Sequence, residues 1–410
     1  MKEAPHGGQS GSEALFQPVR MGSITLKNRL IRAATYEGLA TRDGTPRPEL
    51  GELYARLAGG GVGAVITGFA FVSQAGRAMQ LGQCGAESDD RIEPWRAVLA
   101  RARQAGDDVK FFMQLAHAGR QTRSKVTGVP VRGASSRRCT YFRQRVSALR
   151  DSEVLEVIRQ FGAAAQRAQQ AGFDGVQVHA AHGYLLHQFL SPWTNTRTDR
   201  WADGGAVLEQ VVADIKRRCG PTFPVLLKVS AADDNTPGLR VERMIELVRR
   251  LEACGVDAVE VSYGTMEFAL NIIRGGHPVN AVFKVNPLFR DMPAPVRRIW
   301  KMFFMKAYLR RFTPFQENYN LPAAVLIQEA TTLPVILVGG LRSVAGMVRC
   351  LTEHGMAAVS LCRPLICEPD LPRRIREGGA QRSQCTNCNL CTIHCDSENP
   401  VRCYVGGGRP

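Results

Sequence analysis

The chain has 410 residues, with 53 Lys and Arg against 37 Asp and Glu, a formal net charge of +16, and 44% hydrophobic and 22% charged residues. This composition excludes a disordered or fibrous chain and allows a sizeable buried core. The charge favours an anionic partner, without choosing between a phosphorylated ligand, an acidic membrane surface and nucleic acid. No apolar run approaches the roughly 18 to 20 residues of a membrane span. The start, "MKEAPHGGQSGSEA", lacks the pattern of a secretory signal, so a cytoplasmic protein is expected. Of twelve cysteines, five fall within residues 385–403, where metal binding is expected over disulfides.

In chain order, residues 1–13 are polar and Gly-rich and are expected to form a mobile tail. Eight strand-like apolar runs follow: "LIRAA" (30–34), "AVITGFA" (64–70), "FFMQLA" (111–116), "GVQVHA" (175–180), "VLLKVS" (225–230), "VDAVEVS" (256–262), "PVILVGG" (334–340) and "AAVSLC" (357–362). Helical segments alternate with them, which implies a parallel sheet. "DSEVLEVIRQFGAAAQRAQQAG" spaces its apolar residues helically and stops on Gly172, and "RVERMIELVRRLEACG" stops on Gly255. Eight strands predict a (β/α)₈ barrel spanning residues 14–380. An open doubly wound sheet would place a Gly-rich nucleotide turn after its first strand, and "RAATYEG" is not one.

Two segments exceed a minimal barrel. About 70 residues separate the sixth and seventh strands, an excess that marks a functional excursion; the insertion is placed at 266–320. Its centre, 295–312, is expected to be one basic amphipathic helix, with Val296, Ile299, Trp300, Phe303, Phe304 and Ala307 on one face and Arg297, Arg298 and Lys301 opposite. Such a helix could touch an anionic membrane or cover the barrel mouth; packing against the barrel or a neighbouring subunit is the favoured expectation. The second segment, 381–410, is Cys-rich and has too few apolar residues for a core of its own.

Catalytic groups of such barrels lie at the carboxyl ends of the strands, and the loops after strands seven and eight commonly hold a phosphate. Gly339 and Gly340 end strand seven and expose backbone N–H groups to an anion. Arg363 follows strand eight with a fork suited to phosphate. At the end of strand four, "HAAHGY" places His179, His182 and Tyr184 within six residues. Zinc would want a third ligand and a general-base carboxylate, and neither stands near. Two imidazoles and a phenol suit donors to a developing oxyanion together with a proton source.

The stretch "FDGVQVHAAHGYLLHQFLSPWTNTRTDRW" resembles the signature of the Old Yellow Enzyme family of FMN-dependent ene-reductases. "LFQPVRMGSITLKNRLIRAAT", "FFMQLAHAGRQT", "PVILVGGLRS" and "CRPLICEPDLP" extend the likeness from Leu15 to about residue 378. The resemblance implies a barrel holding FMN, reduced by NADH or NADPH, that passes hydride to a C=C bond conjugated to a carbonyl. It implies that His179 and His182 bond the substrate carbonyl and Tyr184 protonates the α-carbon. Gln114 would bond the flavin pyrimidine, Lys228 would sit near flavin N1 and O2, and Gly339, Gly340 and Arg363 would hold the phosphate. Ala34, Thr35 and Cys362 would border the flavin. This sequence departs from the family pattern at Lys228, where arginine is common, at Thr35 and Tyr36, and at Cys362, where glycine is common.

Cys385, Cys388, Cys391 and Cys403 form C-x₂-C-x₂-C-x₁₁-C, a spacing that could wrap a metal ion or cluster. The tail is similar to the cluster-binding segment of 2,4-dienoyl-CoA reductases, which implies a [4Fe–4S] cluster fed by an electron-donor protein; zinc and a metal-free thiol tail are the alternatives. The substrate expected is a small enone or enoyl compound, and no nucleic acid is expected. Rival readings are a flavin-barrel dehydrogenase, which Tyr184 beside two histidines disfavours, and a flavin protein associated with RNA or, through residues 295–312, with a membrane.

Overall fold

The computed structural model describes residues 11–397 and 399–405, so residues 1–10 of the tail expected over 1–13 lie outside the described residues. Glu13–Phe16 is a 3₁₀ turn that buries Leu15, so Glu13, expected in the tail, belongs to an element. All eight expected strands form: β1 (Leu30–Arg32), β2 (Ala64–Ile66), β3 (Lys110–Ala116), β4 (Gly175–Ala180), β5 (Val225–Ser230), β6 (Ala258–Ser262), β7 (Val335–Val338) and β8 (Ala358–Leu361). Each pairs in parallel with the next, and β8 pairs with β1, so the sheet closes on itself. This is a (β/α)₈ barrel.

Helices α1 (Pro48–Gly59), α2 (Ile92–Arg103), α3 (Asp151–Ala171), α4 (Gly205–Cys219) and α5 (Val241–Ala253) pack outside it. Their apolar faces and the outward residues of the strands form the main core. α3 ends as its sequence predicts, on Gly172 at φ +98°. Its amino end differs, because the Glu153 carboxylate reaches back to accept from the Arg150 N–H at 2.8 Å and makes Arg150 the cap.

The barrel interior is layered, and the layers follow from the two-residue period of a strand. At the amino end Ile31, Ile66, Phe112, Leu226, Ala258, Ile336 and Ala358 meet Met21 and Leu26 of a hairpin that plugs the barrel floor. The hairpin turns at Gly22, where φ is +60° and a side chain would run into the Asp257 carboxylate. Two residues further along four of these strands the same inward positions carry Gln114, Lys228, Glu260 and Ser360, with Gln177 beside them on β4. Two more residues give His179, Ser230 and Ser262 at the mouth. The polarity of the interior therefore rises toward the carboxyl ends of the strands.

The insertion between β6 and β7 contains α6 (Val279–Val285), α7 (Ala294–Phe303) and a short turn, Met305–Leu309, before α8 (Leu321–Gln328). The single helix expected over 295–312 is broken at Phe304. Nor does α7 pack into the barrel: it buries no residue, and Val296, Ile299, Met302, Phe303 and Phe304 are 48–67% exposed. Trp300 and Lys301 turn inward, toward Phe283 of α6. No helix is long and apolar enough to cross a membrane among the described residues.

After α9 (Val344–Thr352) and β8 the chain crosses the barrel mouth. Asn387 accepts from Gly276 N–H, Asn389 reaches the Gly276 carbonyl at 3.0 Å, and Val401 N–H donates to the Glu37 carbonyl at 2.7 Å. The polar tail is thus ordered by hydrogen bonds to the insertion and to the loop after β1.

Candidate active site

At the end of β4 the backbone turns sharply, with His182 at φ +61° and Gly183 at +77°. This unusual conformation for a histidine is held by Ser230 Oγ, which accepts the His182 N–H at 3.0 Å, and by the Gln121 amide and Met266 N–H on the His182 carbonyl. It brings three rings together: His179 lies 5.1 Å from His182 and 4.9 Å from Tyr184, centroid to centroid. Phe69 at 5.4 Å from Tyr184, and Tyr36 beyond it at 6.1 Å from Phe69, extend the aromatic wall. The predicted trio is therefore assembled in one place.

Burial, with Lys228 and His187 adding positive charge nearby, holds His179 well below the usual histidine range, and His182 is depressed likewise, first by burial and then by His179. Both rings are neutral at pH 7. His179 Nδ1 accepts the Ala181 N–H at 3.3 Å, so its ring proton resides on Nε2, which is left as a donor. His182 Nε2 lies 2.8 Å from Ser262 Oγ. Burial pushes the Tyr184 phenol up, with Asp396 and Cys395 adding to the rise, so Tyr184 keeps its proton at neutral pH.

Below the rings runs a polar chain. Gln114 Nε2 donates to Gln177 Oε1 at 2.7 Å, Gln177 Nε2 donates to Glu260 Oε2 at 2.9 Å, and Lys228 Nζ donates to the same oxygen at 2.9 Å. Gln114 and Lys228 are thus held on one network. Gln177 and Glu260 were not singled out in the sequence, although each is a polar residue at an inward position of an apolar strand, which is a readable signal.

The other expected cofactor residues line one cavity: Ala34, Lys228, Gly339, Gly340, Cys362 and Arg363, with Arg342, Ser360 and Asn387 completing it. Thr35 borders it, its hydroxyl 3.2 Å from Cys362 Sγ, so the Cys362 thiol is tied back to the end of β1. Gly339 and Gly340 have φ of +117° and +76°, and a side chain on Gly339 would strike Tyr319 and Asn320. Arg363 donates to Asn389 and, at 3.0 Å, to the Arg274 carbonyl; both partners are neutral, so its charge is uncompensated by a carboxylate. Ser360 Oγ and Arg342 Nε are buried without a partner among the described residues. A cationic fork, orphaned donors and close-packed glycines suit a phosphate-bearing ligand, and the residues present fit FMN.

The cysteine tail departs from expectation. Cys385, Cys388, Cys391 and Cys403 do not converge: no three His, Cys, Asp or Glu side chains among the described residues are grouped so as to hold a metal ion. Three of the four thiols have other company. Cys385 reaches toward Asn387 Oδ1 at 3.8 Å, Cys391 lies 3.9 Å from Thr392 Oγ1, and Cys403 pairs with Cys367. The residues whose spacing suggested a shared ligand do not form one metal-holding group among the described residues.

Comparison with known proteins agrees with this geometry. The chain is 29% identical over 95% of its length to a metal reductase from Desulforamulus reducens, of which it spans only 53%. It is 28% identical to a 4,4'-dithiodibutanoate disulfide reductase from Rhodococcus erythropolis, with 95% of both chains covered. The solved structure of an old yellow enzyme homologue from Zymomonas mobilis superposes with a TM-score of 0.68 at 25% identity, over 90% of this chain and 94% of that one. The chain spans about half the length of the first two curated relatives it matches, the second being an NADH oxidase from Thermoanaerobacter brockii. Residues 14–284 match the model of the NADH:flavin oxidoreductase / NADH oxidase family, and the chain belongs to that family.

Proposed function

We propose that the protein is an FMN-dependent oxidoreductase that takes reducing equivalents from NADH or NADPH and reduces a C=C bond conjugated to a carbonyl. The observation that carries this reading is the grouping of a neutral, Nε2-protonated His179 with His182 and a protonated Tyr184 at the end of β4.

When bound, FMN supplies the hydride for the β-carbon. Gly339, Gly340, Arg342, Ser360 and Arg363 would hold its phosphate end, and Gln114 and Lys228 its pyrimidine edge. Glu260 fixes the Lys228 ammonium at that edge, where its charge favours electron-rich flavin. His179 donates through Nε2 to the substrate carbonyl oxygen, where negative charge grows as hydride arrives. His182, anchored through Nε2 on Ser262, is the second donor expected on that oxygen. Tyr184 gives its proton to the α-carbon, and Phe69 and Tyr36 shield the site from water.

The basic residues and exposed apolar side chains of α7 support a peripheral contact with an anionic membrane.

Tyr184→Phe tests the chemistry by stopped-flow spectroscopy of the two half-reactions. Flavin bleaching by NAD(P)H should persist, while reoxidation by a cyclic enone should slow about 10²- to 10⁴-fold, the range for loss of a general acid. Unchanged reoxidation would remove Tyr184 as the proton source.

A further inference from the structure

The positive charge of the chain is concentrated in two places. The segment from β3 to α3, residues 117–150, holds nine Lys and Arg and no Asp or Glu, and the insertion, residues 266–320, holds nine against three. These segments account for +9 and +6 of the formal +16, which leaves +1 for all other residues together. Each segment follows the carboxyl end of a strand, so both lie on the mouth side of the barrel.

The two segments are tied to each other and to the histidine turn. Gln121 Nε2 from the first and Met266 N–H from the second both donate to the His182 carbonyl, at 2.9 and 3.0 Å. Asn286 Nδ2 donates to the Tyr141 hydroxyl at 2.8 Å, and the rings of Tyr141 and Phe289 lie 6.2 Å apart, centroid to centroid. Arg120 and Glu267 make a buried ion pair between the segments. Beyond that pair little of the charge is neutralised: among the described residues, Arg132, Arg150 and Arg290 are the other basic residues of the two segments in an ion pair. Arg143 and Arg145, for instance, are exposed and meet no carboxylate among the described residues. Like charges gathered on one face repel one another and do not help the fold; their combined field draws anions toward the cleft they surround.

We propose that these two segments form an electrostatic funnel for the dinucleotide reductant, and that the protein therefore captures NADPH faster than NADH. This rests on NADH and NADPH as reductants and does not depend on the enone. Both dinucleotides are anions, and the 2′-phosphate of NADPH adds about 1.5–2 negative charges. Attraction grows with ligand charge, and the field reaches about 30 Å at 0.01 M salt but only about 8 Å at 0.15 M. Selection therefore acts on the encounter, ahead of any contact with the flavin.

The test is stopped-flow bleaching of the FMN-loaded protein by three reductants of falling charge, NADPH, NADH and the uncharged 1-benzyl-1,4-dihydronicotinamide, at ionic strengths from about 0.01 to 0.3 M. As salt rises, the second-order rate constant should fall about ten-fold or more for NADPH, less for NADH, and not at all for the neutral compound. Arg143→Gln with Arg145→Gln should slow NADPH about three-fold at low salt and leave its rate unchanged at high salt. Arg243→Gln with Arg349→Gln removes the same charge from the outer helices α5 and α9 and should slow it less. Calorimetric titration with NADP⁺ and NAD⁺ reads the preference without hydride transfer: NADP⁺ should bind more tightly at low salt, and the gap should close as salt rises. Equal salt dependence for the three reductants overturns the funnel and leaves NAD(P)H as the reductant, and so does an outer-helix variant as slow as the mouth variant. Bleaching by the neutral compound alone overturns both. Should the mouth variant not fold, the order of the wild-type salt dependences decides.

Discussion

Lys228 and Glu260 occupy facing positions on β5 and β6, their charged atoms 2.9 Å apart and both side chains almost wholly buried. A single acid thus positions the Lys228 ammonium and, through Gln177, the amide of Gln114. Glu260→Gln would leave the ammonium buried with no counter-charge, a change that costs about 3–5 kcal/mol in other proteins. Urea unfolding should show a loss of that order, accompanied by weaker FMN retention on a desalting column. A loss under about 1 kcal/mol would mean that water reaches Lys228 and that Glu260 does not position it.

Phenols mimic the charge-bearing oxygen of a reducing enone, and His179 and His182 are its expected donors. Replacing both by Ala should weaken phenol binding by about 10- to 100-fold, since two hydrogen bonds to a charged oxygen contribute about 1.5–3 kcal/mol each in the strong case and less when water enters. The charge-transfer absorbance of the phenol complex reports the affinity. Undiminished binding would place the anion site elsewhere.

The same burial has a consequence for acid stability. His117 is held down to about 4, and His179 and His182 lie well below the usual 6.5, all three by burial first. The unfolded chain takes up protons below 6.5 while the folded chain resists them, so these groups leave stability flat above that pH and erode it as pH falls toward 4. His117 alone accounts for roughly 3 kcal/mol once pH is below its folded value. Unfolding free energies measured between pH 7.5 and 4.5 should fall, and His179→Asn with His182→Asn should flatten the slope. An identical slope in that variant would show that other groups govern the acid limb.

The strands and the histidine motif were legible because their signals are local. A buried parallel strand is a continuous apolar run, and a polar residue inside one, such as Gln114 or Lys228, must face the barrel centre or the helices. Glu260 could have been found by the same reasoning, since "VDAVEVS" carries one acid amid apolar neighbours. The destination of the tail was not legible. Nothing in "QCTNCNLCTIHCDSENP" says that Asn387 and Asn389 will bond the Gly276 backbone or that Asp396 will reach Gln80, because those partners lie more than 100 residues away. Cysteine spacing constrains ligand geometry only if the chain brings the thiols onto one centre, and no such group forms among the described residues. The pattern of 295–312 was read as one two-faced helix, whereas the helix breaks at Phe304, and Trp300 and Lys301, read on opposite faces, both turn toward Phe283. The fold leaves the rest of the apolar face in solvent.

That exposed face supports the last prediction. Val296, Ile299, Met302, Phe303 and Phe304 project from α7 and its end, with Tyr308 at 40% exposure close by. Arg297, Arg298, Lys301, Lys306, Arg310 and Arg311 lie in the same stretch, and residues 294–312 contain no acid. Apolar side chains that enter the acyl boundary, with cations at the level of anionic headgroups, combine two attractions, the second worth about 1 kcal/mol per basic residue near the surface and screened by salt. Flotation with vesicles of phosphatidylglycerol should carry the protein to the lipid fraction at low salt. Neutral phosphatidylcholine vesicles should carry much less. Phe303→Ser with Phe304→Ser should reduce flotation at every salt concentration, because the apolar contribution does not depend on screening, whereas Arg297→Gln with Arg298→Gln should reduce it chiefly at low salt. Equal flotation of wild type and both variants would rule out this face as the membrane contact and return it to a protein partner.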